Sequence, residues 1–168
     1  MQLAQINIGR PRYPLDDPRI ADFVDNLDRI NALAERSDGF VWRLKDESGN
    51  ATQISAFDDP SILLNMSVWR SVETLEAFAY QTVHRRFVQR RHEWFELFDG
   101  LYLALWWVEE GYIPTAVDGR QRLAHLEKFG PTTWAFTFKK RFPPIADAVP
   151  LGEVGDGRTY GQPYRSCG

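Results

Sequence analysis

LYLALWWV, residues 101–108, is a nearly continuous apolar run. Eight residues are the length of a strand rather than of a helix. A strand without a polar face needs cover on both of its sides, which one layer of helices on one face of a sheet does not supply. The run therefore predicts a strand within a sheet whose two faces are both buried.

Two other strands are expected to have one apolar and one mixed face. Residues 3–8 and 61–69 alternate with the period of two that is typical of strands. Amide, hydroxyl and aromatic side chains share the second face of each strand. The residues on these mixed faces are Leu3, Gln5, Asn7, Leu63, Asn65, Ser67 and Trp69.

Helix signals complete the order of elements. Asp17 and Ser71 are predicted to cap two helices, and Thr115 with Asp118 is a capping-box pattern that opens a third. The order strand, helix, strand, strand, helix, strand predicts an α+β fold, a ferredoxin-like split βαβ sheet with helices on one face. The further predicted segments are helices at 18–38, 71–98 (with a break near 81–82) and 115–130, and strands at 40–44 and 134–138.

The face that these helices leave open predicts an oligomer. It would expose Leu63, Trp69 and one side of residues 101–108, which is a large apolar patch for a monomer. Pairing of the sheets in a homodimer would bury this patch, giving a dimeric α+β barrel. Because Gln5 and Asn7 would also face inward, the enclosed space is expected to hold a small hydrophobic or aromatic ligand.

Length and composition limit the classes of function. The 168 residues predict one domain at 1–138, followed by a Pro/Gly-rich tail at 139–168. A net charge of −3 argues against nucleic acid as a partner, and no apolar run is long enough to predict a membrane span, so a cytoplasmic location is expected. Cys167 is the single cysteine, which excludes a disulfide framework and a cysteine-based metal site within one chain.

The candidate catalytic residues lie in the second predicted helix. His84, Val88, Arg91 and Phe95 share one helical stripe that is half apolar and half ionisable. In the functional interpretation His84 carries a proton or binds a metal or haem, and Arg91 binds an anionic group. In the alternative, both lie at the edge of the stripe, where Arg91 extends its stem over Phe95 and His84 caps a helix break.

Other chemistry-bearing residues are interpreted as structural. Arg85, Arg86 and Arg90 are expected on a solvated face, and neither His92 nor His125 is expected to be a ligand. The sequence contains no Gly-rich phosphate loop, nucleophile elbow or zinc-binding pattern, so no metal site is predicted.

Several short segments together carry a resemblance to a known family. They are LAQINI at 3–8, NMSVW at 65–69, HRR at 84–86, RRHEWF at 90–95, LWWV at 105–108 and GYIPT at 111–115. In this order they resemble the domain-of-unknown-function 3291 family over roughly residues 1–140. That family is similar to the dimeric α+β barrel superfamily, which includes antibiotic-biosynthesis-type monooxygenases, chlorite-dismutase-like haem proteins and stress-response barrel proteins. The resemblance implies a homodimer and assigns no reaction.

Three hypotheses for function remain open at this point. The first is a monooxygenase-like enzyme without a tightly bound cofactor that acts on an aromatic or polycyclic substrate, with His84 and Arg91 as catalytic residues. The second places haem in the cavity with His84 as its axial ligand. The third is a non-catalytic dimer that binds a hydrophobic ligand or stabilises a partner. The substrate-binding residues expected for such a pocket are Gln5, Asn7, Asn65, Trp69 and Trp94.

Overall fold

The computed structural model describes residues 1–54, 56–81, 84–97 and 100–144, with His84 described by its backbone alone. The protein is a mixed α+β structure around an open, four-stranded antiparallel sheet with the strand order β2-β3-β1-β4. The strands are β1 Gln2–Gly9, β2 Phe40–Arg43, β3 Leu63–Trp69 and β4 Leu103–Val108. The helices are α1 Ala21–Val24, preceded by a 3-10 turn at Pro18–Ile20, α2 Leu27–Arg36, α3 Val72–Gln81, α4 His84–Trp94 and α5 Ala116–Phe129.

The register of β1 brings the expected side chains onto common faces. Gln5 lies opposite Ser67 in β3, and Asn7 lies opposite Asn65, so these polar groups share what we call the amide face. The alternate residues of the same strands form the apolar face, which includes Ala4, Ile6, Leu64, Met66 and Val68. The predicted alternation in β1 and β3 is therefore confirmed.

Helices α2, α3 and α4 lie on the amide face, whereas the sequence predicted that this side would meet a second copy. Trp69 is fully buried there and packs with Ala34 of α2 and Leu75 and Phe78 of α3. Helix α3 begins as expected, because the backbone N–H of Thr74 donates to Ser71 Oγ at 3.3 Å. The large aromatic and aliphatic groups at one end of this face give α2 and α3 an apolar surface on which to pack.

Helix α5 covers the apolar face. Thr115 and Asp118 form the predicted capping box, and the helix ends before Gly130 as expected. Gly119 lets α5 approach the sheet closely, since a Cβ at this position would lie 2.6 Å from Ile6 Cδ1. Both faces of the sheet are thus covered within one chain, and burial of β4 does not require the homodimer. The homodimer through the sheet faces remains a prediction, but the need to cover β4 does not support it.

Several predicted boundaries are wrong, among them the starts of β3 and β4, which lie at Leu63 and Leu103 instead of residues 61 and 101. The first predicted helix is divided between α1 and α2, with a break at Asp25 and Asn26. The second is divided near the predicted break, into α3 and α4, but α4 ends at Trp94 instead of Phe98. The predicted strand at 134–138 is reduced to isolated bridges such as that of Phe136 with Leu105. Phe98 and Asp99, and the tail from residue 145, lie outside the described residues.

No helix in the part of the chain that the structure describes has the length and apolar character needed to cross a membrane.

Candidate functional site

A cavity of about 400 Å³ lies between the amide face of the sheet and helices α2, α3 and α4. Its position differs from the prediction, which placed the pocket between the sheets of two copies. The predicted site residues whose side chains the structure describes all line this cavity, and their roles in function remain predictions. These lining residues are Gln5, Asn7, Asn65, Trp69, Arg91 and Trp94.

A hydrogen-bonded group that is buried except at the exposed Asn65 forms the floor of the cavity. The indole Nε1–H of Trp69 donates to Ser67 Oγ at 2.8 Å. The Gln5 amide Nε2 donates to the same oxygen at 2.9 Å and reaches Asn65 Oδ1 at 3.4 Å. Gln5 and Ser67 are each only 6% exposed, so these bonds hold the floor in one arrangement.

Ser67 is the central residue of this floor, and the sequence-based set of site residues does not include it. Its position between Asn65 and Trp69 on the mixed face of β3 was the available signal. What the strand pattern does not show is that two donors converge on its hydroxyl. Asn7 lies beside this group, and among the described residues its side-chain amide has no hydrogen-bond partner.

Aromatic rings form much of the wall. The Trp69 ring stacks on Phe78 with the ring centroids 5.2 Å apart, and Phe40 meets it edge-on at 5.4 Å. The Trp94 ring stacks on Phe87 with the centroids 5.8 Å apart. Both tryptophans are almost fully buried, so they line the cavity as parts of packed aromatic clusters.

Arg91 supplies a positive charge at the wall formed by α4. Its guanidinium lies 4.1 Å from the ring centroid of Tyr102, and the residue is half-buried. Within the described ranges no carboxylate lies at ion-pair distance from Arg91, whereas Arg90 pairs with both Asp22 and Glu93. Arg91 is thus a cation placed to meet an anion in the cavity.

Tyr80 is a second ionisable group beside Arg91. Partial burial raises the pKa of its hydroxyl above the usual value, and electrostatic interaction with Tyr102 and Glu76 adds to this effect. The positive charge of Arg91 acts in the opposite direction on the same pKa. Tyr80 therefore remains a neutral donor or acceptor at physiological pH.

The end of α4 is tied to the start of the chain, which positions Arg91 and Trp94 against β1. The backbone N–H of Arg12 donates to the Trp94 carbonyl at 2.8 Å. Phe95 packs onto the backbone of Gly9, where a Cβ would come within 2.6 Å of the Phe95 ring. This close approach explains why α4 ends at Trp94, because Phe95 joins an extended segment that bridges to Pro11.

The three histidines have different surroundings. The side chain of His84 lies outside the described residues, so the proton-carrier and haem-ligand hypotheses that depend on it remain predictions. His92 is exposed, and its Nδ1 lies 3.1 Å from the Gln89 carbonyl. His125 lies on the other side of the sheet, with Nε2 2.8 Å from Thr132 Oγ1. In the described ranges no three His, Cys, Asp or Glu residues are grouped so that they could hold a metal ion.

The sequence and the structure were also compared with known proteins. Residues 2–150 match the family described as Domain of unknown function (DUF3291). The chain belongs to the DUF3291 family. The resemblance carried by the short segments is thereby confirmed for this family, and its extension to the monooxygenase-containing superfamily remains a prediction.

No curated protein matches this DUF3291 chain. Among solved structures it is similar to a protein of unknown function, NE2512 from Nitrosomonas europaea, at 13% sequence identity. The match covers 68% of this chain and 95% of that chain, with a TM-score of 0.43. A TM-score below 0.5 is too low to establish a shared fold.

Proposed function

We propose that this DUF3291 protein binds a small aromatic anion in the cavity between the amide face and helices α2, α3 and α4. The observation that carries the proposal is Arg91, a half-buried cation without a carboxylate partner among the described residues, at the wall of an aromatic cavity. The cavity volume of about 400 Å³ lies within the range of about 300–1,000 Å³ that is typical of small-molecule sites.

The walls favour a flat ligand. Phe40, Phe87 and Tyr102 line the cavity and are only partly buried, so they present aromatic surface that a planar ring system can contact by stacking or edge-on packing. Apolar walls with a few polar groups are the usual composition of ligand sites, in which the polar groups orient the ligand. The amides of Asn7 and Asn65 are available for that role on the floor.

The charge of Arg91 favours an anion. The guanidinium already contacts the face of Tyr102, and this contact leaves its N–H groups available to a carboxylate or phenolate. A charge-assisted hydrogen bond in a partly water-excluded site contributes about 1.5–3 kcal/mol. Such a contribution corresponds to roughly a tenfold or greater preference for the anion over a neutral ligand of the same shape.

The experiment compares 2-naphthoate with 2-naphthamide, which share their ring system and differ in charge. Binding is measured by calorimetry for the wild type, Arg91→Met and the control Arg90→Met on the same helix. We expect the wild type and the control to prefer 2-naphthoate by about tenfold, and Arg91→Met to bind both compounds equally. Equal affinities in the wild type, or binding of neither compound at millimolar concentration, would overturn the proposal.

The same topology supports a finer assignment of the fold. A β2-β3-β1-β4 order with antiparallel neighbours is the order expected of a ferredoxin-like split βαβ sheet. We infer that the protein belongs to that class. A homodimer through the sheet faces would require α5 to leave the apolar face or the helices to leave the amide face. Sedimentation velocity at micromolar concentration checks the oligomeric state.

A further inference from the structure

The geometry points to Ser67 as a fixed hydrogen-bond donor to the ligand, which makes the cavity selective for aromatic anions that also carry a carbonyl oxygen. This inference rests on the proposed function, because it names a second group of the same ligand. Ser67 lines the cavity and is nevertheless almost completely enclosed, with 6% of the residue exposed. The hydroxyl is the polar group of its short side chain, which extends from the amide face on which the cavity lies.

The direction of the hydrogen bonds determines what that hydroxyl can do. A serine hydroxyl has one hydrogen to donate and two lone pairs with which to accept. Trp69 Nε1–H can act only as a donor, so the bond of 2.8 Å uses one lone pair of Ser67. The Gln5 amide is oriented by two bonds, with Nε2 toward both Ser67 Oγ and Asn65 Oδ1, and it uses the second lone pair.

The hydroxyl hydrogen of Ser67 takes part in neither of these two bonds. Its acceptor is not found among the hydrogen bonds of the described residues. A buried polar hydrogen is strongly favoured to find an acceptor, and the cavity is the open space that Ser67 borders. An oxygen of the ligand at this point of the floor would complete the hydrogen bonding of the group.

Two features make this donor stronger and more selective than an exposed serine. The two N–H groups that donate to Ser67 Oγ polarise its O–H bond, as occurs in chains of hydrogen bonds. Trp69 is fully buried and packed against Phe78, which fixes its indole N–H. Ser67 Oγ therefore cannot rotate away without losing the hydrogen bond from Trp69. A ligand without an acceptor here leaves a desolvated donor unpaired, which is the arrangement that discriminates most strongly between related ligands.

The test uses two ligands with the same ring and carboxylate, indane-5-carboxylate and 1-oxoindane-5-carboxylate, which differ by one ketone oxygen. We expect the wild type to bind the ketone about tenfold more tightly, and Ser67→Ala to reduce this ratio to about one. Ser61→Ala removes an exposed hydroxyl outside the cavity, where it bonds to Asp59, and should keep the wild-type ratio. Calorimetry gives the dissociation constants.

The outcomes separate this inference from the proposed function. If the wild type binds both carboxylates with equal affinity, the cavity is an aromatic-anion site and the donor role of Ser67 is refuted. If neither carboxylate binds, the proposed function fails together with this inference. Because the wild-type ratio is itself decisive, the test does not depend on Ser67→Ala folding, and Ser67→Thr, which keeps the hydroxyl, should retain the preference for the ketone.

Discussion

A comparison of two buried tryptophans allows the contribution of one hydrogen bond of the cavity floor to stability to be measured. Trp69 and Trp106 lie on opposite faces of the sheet, with 0% and 1% of their surfaces exposed. The indole N–H of Trp69 donates to Ser67, whereas the indole N–H of Trp106 is buried without a hydrogen-bond partner in the described structure. Replacement of each by Phe removes the same atoms from a packed site.

The expected energies differ because the lost N–H groups differ. Trp69→Phe loses packing and also a hydrogen bond worth about 1 kcal/mol. Trp106→Phe has a similar packing loss but removes an unpaired buried donor, whose desolvation costs about 1–3 kcal/mol in the folded state. Trp69→Phe should therefore lower the free energy of unfolding by about 2–4 kcal/mol more than Trp106→Phe does. This is a large share of the roughly 5–15 kcal/mol that stabilises a typical protein.

Urea unfolding followed by circular dichroism is the suitable assay, because both variants remove a fluorescent indole. The slope of the free energy of unfolding against urea concentration should be equal in the two variants. The midpoints of the two curves then report differences in stability alone. A double-mutant cycle with Ser67→Ala should give a coupling of about 1 kcal/mol with Trp69→Phe and none with Trp106→Phe. If Trp106→Phe is as destabilising as Trp69→Phe, the assignment of Trp106 as an unpaired donor is refuted.

Two further predictions concern the other side of the sheet. Gly119→Ala should destabilise the protein by about 1–3 kcal/mol because its Cβ would overlap Ile6 Cδ1, although alanine favours helices. Ile6→Val removes that Cδ1 atom and should partly relieve the loss of stability. Chemical unfolding of the two single variants and the double variant checks this, and additive losses would contradict it. Burial, and secondarily the charge of Arg122, lowers the pKa of His125 below 6.5, so the folded state favours the neutral ring. The free energy of unfolding should therefore fall as the pH drops through 6.5, and His125→Gln should reduce this fall between pH 7 and 5.5, whereas an unchanged pH profile would contradict it.

The candidate site shows which of its residues can be predicted from the alternation of side chains along a strand. The pattern of β1 and β3 brought Gln5, Asn7 and Asn65 together, and all three line the cavity. The pattern could not show which layer would face them, because alternation separates two faces of a sheet without identifying what covers each one. For the same reason Ser67 was not recognised as central, since its importance depends on the two donors that meet at its oxygen.

Some ends of helices depend only on residues close to them in sequence, and local sequence signals predicted these ends. The Thr115 capping box and the stop at Gly130 follow from short-range hydrogen bonding and turn chemistry, and the sequence by itself predicted them. Only the tertiary structure decided that α5 covers the apolar face and that α4 ends where Phe95 meets Gly9. Both depend on the close approach of segments distant in sequence, which no local pattern contains.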